Sequence, residues 1–384
     1  MNNNNQHIPQ GYKSSPLGII PEDWEVKRLG EICTHFKSGN TITSKEIFDK
    51  GLYPVYGGNG FRGFSNTFTH DGNFILIGRQ GALCGNINYV EGKNYISEHA
   101  IAVQTNENMQ WLKFKLINWN LNRFSESSAQ PGLSVEKLVR YKLVIPTSSE
   151  QNKIAEILQL WNTAISKQTQ LVEKLTLRKR GLMQQLLTGK KRLKGFEGEW
   201  KRIKAGELFK STSVRGNKNE ALLSATQEYG VIPRDQLEGR VTMPTGNLES
   251  FKLVEIGDFV ISLRSFQGGI EYSNYRGNVS PAYTVLKPKI EIDKSFYRFY
   301  FKSSDFIGHL AIAVIGIRDG KQICYEDFCF VKIPYPPIEE QNAIATILIQ
   351  ADKEIEIQKQ KLARLQEQKK GLMQVLLTGK RRVK

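Results

Sequence analysis

Glu150-Gln151-Asn152-Lys153-Ile154-Ala155-Glu156-Ile157-Leu158 returns later in the chain as Glu340-Gln341-Asn342-Ala343-Ile344-Ala345-Thr346-Ile347-Leu348. Gly181-Leu182-Met183-Gln184-Gln185-Leu186-Leu187-Thr188-Gly189-Lys190 likewise returns as Gly371-Leu372-Met373-Gln374-Val375-Leu376-Leu377-Thr378-Gly379-Lys380. Both matches share one offset of 190 residues, so the length between them is held without a gap. A loop tolerates insertions; a rigid helix with a partner-facing stripe does not. Pro146 and Pro336-Pro337 precede the two stretches, where proline is tolerated ahead of a helix. Gly189 and Gly379 suit left-handed C-terminal caps, and the clusters Lys190-Lys191-Arg192 and Lys380-Arg381-Arg382 complement the helix dipole.

Apolar residues inside these stretches alternate at three and four. The first set is Ile154, Leu158, Trp161, Ile165, Val172, Leu175, Leu182 and Leu186; the second is Ile344, Leu348, Ala351, Ile355, Leu362, Leu365, Leu372 and Leu376. This is a heptad seam of about five heptads. Nearly 40 residues of helix at about 1.5 Å each span close to 60 Å. A helix that long with one apolar stripe needs a partner, and the expectation is that the two helices pair as an antiparallel coiled coil. Burial in a globular core is the alternative. Polar residues interrupt both stripes at matching places, Gln168 with Gln358 and Lys179 with Lys369. In an antiparallel pair Gln168 would face Gln358 and fix the register; the alternative is two solvated glutamines.

A weaker repeat opens each unit. Trp24 with Gly30-Glu31-Ile32 resembles Trp200 with Gly206-Glu207-Leu208, now at an offset of 176, so the second unit carries 14 more residues between its Trp and its helix. The helices match while the intervening regions differ in length and sequence. The expected fold class is α+β: two mixed α/β modules separated by two long helices, with a pseudo-two-fold internal repeat. The expected division is a first module at 1–147, a central helix at 148–190, a second module at 191–336 and a C-terminal helix at 337–384. At roughly 100–200 residues per domain, 384 residues admit this. Within the modules, Phe74-Ile75-Leu76-Ile77, Ile101-Ala102-Val103, Asp258-Phe259-Val260-Ile261-Ser262-Leu263 and Tyr283-Thr284-Val285-Leu286 read as short strands.

Lys and Arg total 54 against 38 Asp and Glu, a formal charge of +16, which favours a polyanionic partner. Cys33, Cys84, Cys324 and Cys329 form no C-x-x-C pair and the histidines are scattered, which argues against zinc. The polar start Met1-Asn2-Asn3-Asn4-Asn5-Gln6 has no signal pattern, and no apolar run of about 18 residues exists. A soluble, cytoplasmic protein without membrane contact is expected.

Candidate DNA contacts lie on glycine-containing loops. Gly72 and Gly257 each open a strand, and Arg79 and Arg264 follow seven residues on. Arg79-Gln80-Gly81 and Arg264-Ser265-Phe266-Gln267-Gly268-Gly269 read as loops. Arg and Gln carry donor geometry suited to guanine and adenine edges, and glycine lets a backbone approach closely. Tyr56-Gly57-Gly58-Asn59-Gly60-Phe61-Arg62 is a similar mixture; Ser128-Ala129-Gln130-Pro131-Gly132 and Arg318-Asp319-Gly320-Lys321 are analogous loops ahead of each helix. The candidates are Lys37, Tyr56, Asn59, Arg62, Arg79, Gln80 and Gln130 in the first module, and Arg215, Arg264, Gln267, Tyr283, Arg318 and Lys321 in the second. Singly each is also a plain surface loop; as a repeated set in a basic chain they favour DNA.

Enzyme patterns fail. Gly58-Asn59-Gly60-Phe61-Arg62-Gly63 fits G-x-G-x-x-G, but turn-like residues follow where a dinucleotide site needs a helix. No P-loop or G-x-S-x-G elbow occurs. Asp71 with Glu91-Gly92-Lys93 can be forced into a metal-nuclease pattern, one too degenerate to carry weight. No catalytic or metal-binding residue is assigned.

The arrangement resembles the specificity subunit of type I restriction–modification systems over almost the whole chain. Its carriers are Gly18-Ile19-Ile20-Pro21-Glu22-Asp23-Trp24, the segments Pro146–Gln151 and Pro334–Gln341, and both Gly-Leu-Met to Leu-Leu-Thr-Gly helix ends. Tyr53-Pro54-Val55-Tyr56-Gly57-Gly58-Asn59-Gly60 and Val279-Ser280-Pro281-Ala282-Tyr283 also look like this family. The resemblance implies two target recognition domains, each reading half of a bipartite double-stranded DNA site, spaced by the coiled coil. It implies two modification (methyltransferase) subunits using S-adenosylmethionine, and restriction/translocase subunits using ATP and magnesium. No cofactor belongs to this chain. The competing readings are a nuclease or methyltransferase with its own active site, and a protein-interaction scaffold that does not bind DNA.

Overall fold

Both repeats are helices of equal length, Ser148–Leu186 and Ile338–Leu376, each of 39 residues. A computed structural model describes residues 8–81, 83–125, 132–215, 219–237, 248–313 and 323–383. The chain divides into two compact units, residues 1–169 with 360–384, and residues 170–359. Each unit holds one module, the first half of the helix that follows it, and the last half of the other helix. The cuts at Thr169 and Lys359 fall at equivalent places in the repeat.

In the first unit Lys369 meets Asn162 while Arg382 meets Glu150, so the two half-helices run antiparallel. In the second, Lys179 meets Asp352 and Arg192 meets Glu340 in the same sense. Both sequence-based alternatives for the apolar stripe are realised, at different places along it. Ile154, Leu158 and Leu376 join the core of the first module, and Leu186, Ile344 and Leu348 that of the second. Towards the middle, Trp161, Ile165, Leu175, Leu182, Leu362, Leu365 and Leu372 are half-buried, as a two-helix seam leaves them, while Ile355 is buried. Gln168 is 7% exposed, so it is not a solvated glutamine; Gln358 is half-buried.

The first module is built on strands β1 (Cys33–Ser38), β2 (Tyr53–Gly57), β3 (Gly60–Ser65), β4 (Phe74–Gly78), β5 (Ile87–Val90) and β6 (Ala100–Thr105). An antiparallel sheet runs in the order β1-β6-β4-β5. Its central strand β4 is buried along its whole length, with Ile75 and Ile77 in the main core and Phe74 and Leu76 in a smaller one on the other face. This explains its uninterrupted apolar run. Helix α1 (Met109–Trp119) packs on the sheet, and Asn108 caps it by accepting from the Trp111 amide at 2.8 Å.

The second module repeats the sheet. Strands β7 (Phe209–Thr212), β8 (Phe259–Ile261), β9 (Glu271–Tyr272) and β10 (Thr284–Pro288) take the order β7-β10-β8-β9. Helix α2 (Lys294–Tyr300) is capped by Asp293, which accepts from the Phe296 amide at 2.6 Å. Asn108 and Asp293 also play one further role: each backbone amide donates at 2.9 Å to the glutamine that opens a long helix, Gln151 or Gln341.

The same latch closes each unit. Trp24 Nε1 donates to Glu150 at 2.8 Å and Arg382 forks onto the same carboxylate at 2.9 and 2.8 Å. Trp200 Nε1 donates to Glu340 at 2.8 Å, with Arg192 forking at 2.7 Å on both oxygens. Gly379 and Gly189 cap the helices with φ of +75° and +71°, and a side chain on either would meet Trp24 or Trp200 at 3.1 Å.

Candidate nucleic-acid interface

The buried strand β4 delivers Arg79 to one end of the first sheet. Its amide donates to the His99 carbonyl at 2.9 Å and its own carbonyl accepts from Leu133 at 2.9 Å, which fixes the backbone. Its guanidinium donates to Ser38 Oγ at 3.2 Å, at the end of β1. Gln80 Oε1 lies 3.2 Å from His99 Nδ1. The β2–β3 hairpin folds over the same place: a side chain on Gly58 would stand 2.6 Å from the His99 carbonyl and 3.5 Å from the Arg79 amide. This close approach is what glycine permits. The structure thus gathers Arg79, Gln80 and the hairpin bearing Asn59 and Arg62, of which Asn59, Arg62 and Gln80 are exposed. Lys37 is exposed on β1, one residue before Ser38.

Tyr56 is half-buried, packs against the smaller core and meets Phe61 edge-on at 5.9 Å. It forms a wall, and the exposed ring of that hairpin is Phe61, at 55% exposure. His99 and Phe61 are not among the sequence candidates, although Phe61 lies in the stretch Tyr56–Arg62. His99 is distant in sequence, and nothing but the sheet brings it to Gln80. Gln130 lies outside the described residues. The G-x-G-x-x-G match is a β-hairpin, Gly57 pairing with Gly60, with no helix behind it.

In the second module β8 points Arg264 to the equivalent end, but the following stretch is a short helical turn, Ser265–Gly268, where a loop is expected. Ser265 Oγ accepts from the Ser262 amide at 2.8 Å and nucleates it. Arg264 and Gln267 are exposed; Gln227 Nε2 donates to the Arg264 carbonyl at 3.4 Å. Lys302, beside them, donates to the Gly268 carbonyl at 2.9 Å and to Glu271 at 2.6 Å. A separate group forms around Lys252, which donates to the Tyr283 carbonyl at 2.5 Å and bridges backbone to backbone with Arg215. Burial, then the Arg215 charge, holds the Lys252 ammonium below the usual lysine range. Arg215 is exposed and Tyr283 half-buried. Arg318 and Lys321 lie outside the described residues.

Asp71 and Lys93 do face each other across paired strands, but Lys93 sits over the Phe68 ring at 4.9 Å. Among the described residues no group of three His, Cys, Asp or Glu is placed to hold a metal. Among them, too, no helix is long and apolar enough to cross a membrane.

The family model described as type I restriction modification DNA specificity domain matches twice, at residues 21–176 and 197–367. The specificity subunit of the Escherichia coli type I restriction enzyme EcoprrI is 40% identical over 169 residues, 42% of each chain. A putative type I specificity subunit, MjaX, of Methanocaldococcus jannaschii is 26% identical over 435 aligned positions, covering 98% of this chain and 97% of that one. Among solved structures, the type I system S subunit of M. genitalium shares the fold with a TM-score of 0.60 at 14% identity, covering 92% of this chain and 96% of that one. The chain therefore belongs to the family of type I restriction–modification DNA specificity subunits, the components of those systems that recognise DNA and do not themselves catalyse.

Proposed function

We propose that this chain reads an asymmetric, bipartite double-stranded DNA target, one half with each module, and scaffolds the subunits that act on it. The observation that carries this is the contrast between a repeated frame and unrepeated ends. The two sheets share one strand order and the two latches share one chemistry. Yet β4 ends in Arg79-Gln80 against a glycine hairpin, whereas β8 ends in a helical turn bearing Arg264 and Gln267. Arg and Gln carried on unlike backbones at like places suit two different half-sites. Exposed Arg, Gln and Asn would read base edges, and the surplus of Lys and Arg would hold phosphates.

The helix pair spaces the halves and carries two modification subunits, which would bring S-adenosylmethionine. Restriction subunits would bring ATP- and magnesium-dependent translocation and cleavage. Those groups belong to the partners. The test is methylation mapping of host DNA with and without this chain, and with Arg79→Ala. A split motif should vanish without the chain, and Arg79→Ala should relax one half only. Methylation that ignores the chain, or a variant that relaxes both halves equally, would overturn the reading.

A further inference from the structure

The two long helices can be compared position by position at the offset of 190, and where each packs on its module they differ in charge. In the second unit, Lys179 on one long helix pairs with Asp352 on the other and lies over the Phe299 ring at 5.2 Å. Arg298, the residue before that phenylalanine, lies over Tyr272 of β9 at 5.3 Å. In the first unit, Lys369 stands at the equivalent helix position and lies over Phe114 at 5.5 Å. Lys113 likewise lies over Tyr89 of β5 at 5.3 Å. Cations and rings are thus repeated. The anion is not: the position of Asp352 is held by Asn162, whose Oδ1 accepts from Lys369 at 2.6 Å. A second ion pair of the second unit, Arg178 with Glu354 at 3.9 Å, has Gln368 and Ala164 as its counterparts.

Two half-buried ammonium groups therefore lie near each other, Lys369 over Phe114 and Lys113 over Tyr89, with a neutral amide where the other unit has a carboxylate. Burial lowers the proton affinity of both, and for Lys369 the charge of Lys113 lowers it further. A cation taken from water without an anion is costly, so such a pair of cations favours an anion from outside.

We propose that Lys113, Lys369 and Asn162 form an oxyanion site that receives a carboxylate side chain of a docking protein subunit. The precedent is internal: in the second unit a carboxylate, Asp352, pairs with the equivalent lysine from the position that Asn162 holds in the first. This rests on the proposed function in so far as partners assemble on the helix pair.

The test uses the full chain and two substitutions. Asn162→Asp gives the first unit the missing carboxylate; Asp352→Asn removes it from the second. With inorganic phosphate replacing chloride at equal ionic strength, the wild-type chain should melt at a higher temperature. Asn162→Asp should lose that response and Asp352→Asn should enlarge it. Asn162→Asp should also weaken assembly with the modification subunit about tenfold, roughly 1.4 kcal/mol, and leave DNA affinity unchanged. A wild-type chain indifferent to phosphate overturns the site. Weakened DNA binding with unaltered assembly overturns the carboxylate assignment in favour of a DNA phosphate. Failure of the wild-type chain to assemble at all counts against the proposed function instead, and the phosphate arm still judges the site.

Discussion

At the scale of single residues the most demanding positions are Glu150 and Glu340. Each is a buried carboxylate, 3% and 0% exposed, holding a Trp and an Arg from distant parts of the sequence. Removing one partner of such a group strands the others without compensation. Glu340→Ala should therefore lower stability by about 3–5 kcal/mol in denaturant titration of the full chain. A loss below about 1 kcal/mol, the value of an exposed pair, would show that the latch carries no such role. The residues were visible beforehand, since Trp24, Glu150 and Arg382 all lie in repeated motifs. Their convergence was not visible. Nothing in a motif says that position 24 meets position 150, and still less that the C-terminal Arg382 closes the first module. Burial pushes the Glu150 carboxyl up, but hydrogen bonds from Arg382, Trp24 and the Val383 amide, with the Arg382 charge, outweigh this and leave it below its ordinary 4.5. Its contribution is thus complete above that value and lost as pH falls below it.

Among the elements, the long helices were the most legible, because a gapless repeat and a heptad stripe are one-dimensional signals. The sheets were less so: their strands showed as short apolar runs, while their order depends on pairings that no local pattern encodes. The turn at Ser265–Gly268 was missed because its glycines suggest a loop, and the Ser262–Ser265 contact that overrides them is itself local but weak in sequence. The end of the second long helix adds a device of its own. Lys115, buried on α1, donates to the Leu377 carbonyl at 2.5 Å and so satisfies a group the helix leaves open. Burial brings its ammonium down from 10.5 to about 8. Between those values the unfolded chain holds a proton that the folded lysine has given up, so stability rises with pH across that window. The gain should be at most about 3 kcal/mol. Chemical denaturation near both limits should show it in the wild type and a flattened profile in Lys115→Met. A variant profile as steep as the wild type's would assign the slope to other groups.

For the whole molecule, the informative fact is that the two compact units are cut at equivalent points of the repeat, after Thr169 and after Lys359. Each unit keeps its own latch, core and stretch of antiparallel seam, so length added at those points leaves both units intact. On the proposed function the helix pair sets the gap between the two half-sites, and the gap should follow helix length. Seven residues of heptad sequence inserted after Thr169 and seven after Lys359 preserve the seam, because seven residues return it to the same face. At about 1.5 Å per residue they add about 10 Å, close to three base pairs at about 3.4 Å each. Methylation mapping with the doubly lengthened chain should find the same two half-sites separated by about three more base pairs. Gln168 is buried one residue before the first of these points and Gln358 stands at its equivalent before the second, so Gln168→Leu with Gln358→Leu in the same background should blur the new gap into neighbouring lengths if these glutamines set register. An unchanged gap in the lengthened chain, with both half-sites still methylated, would end the ruler role while leaving the two readers standing.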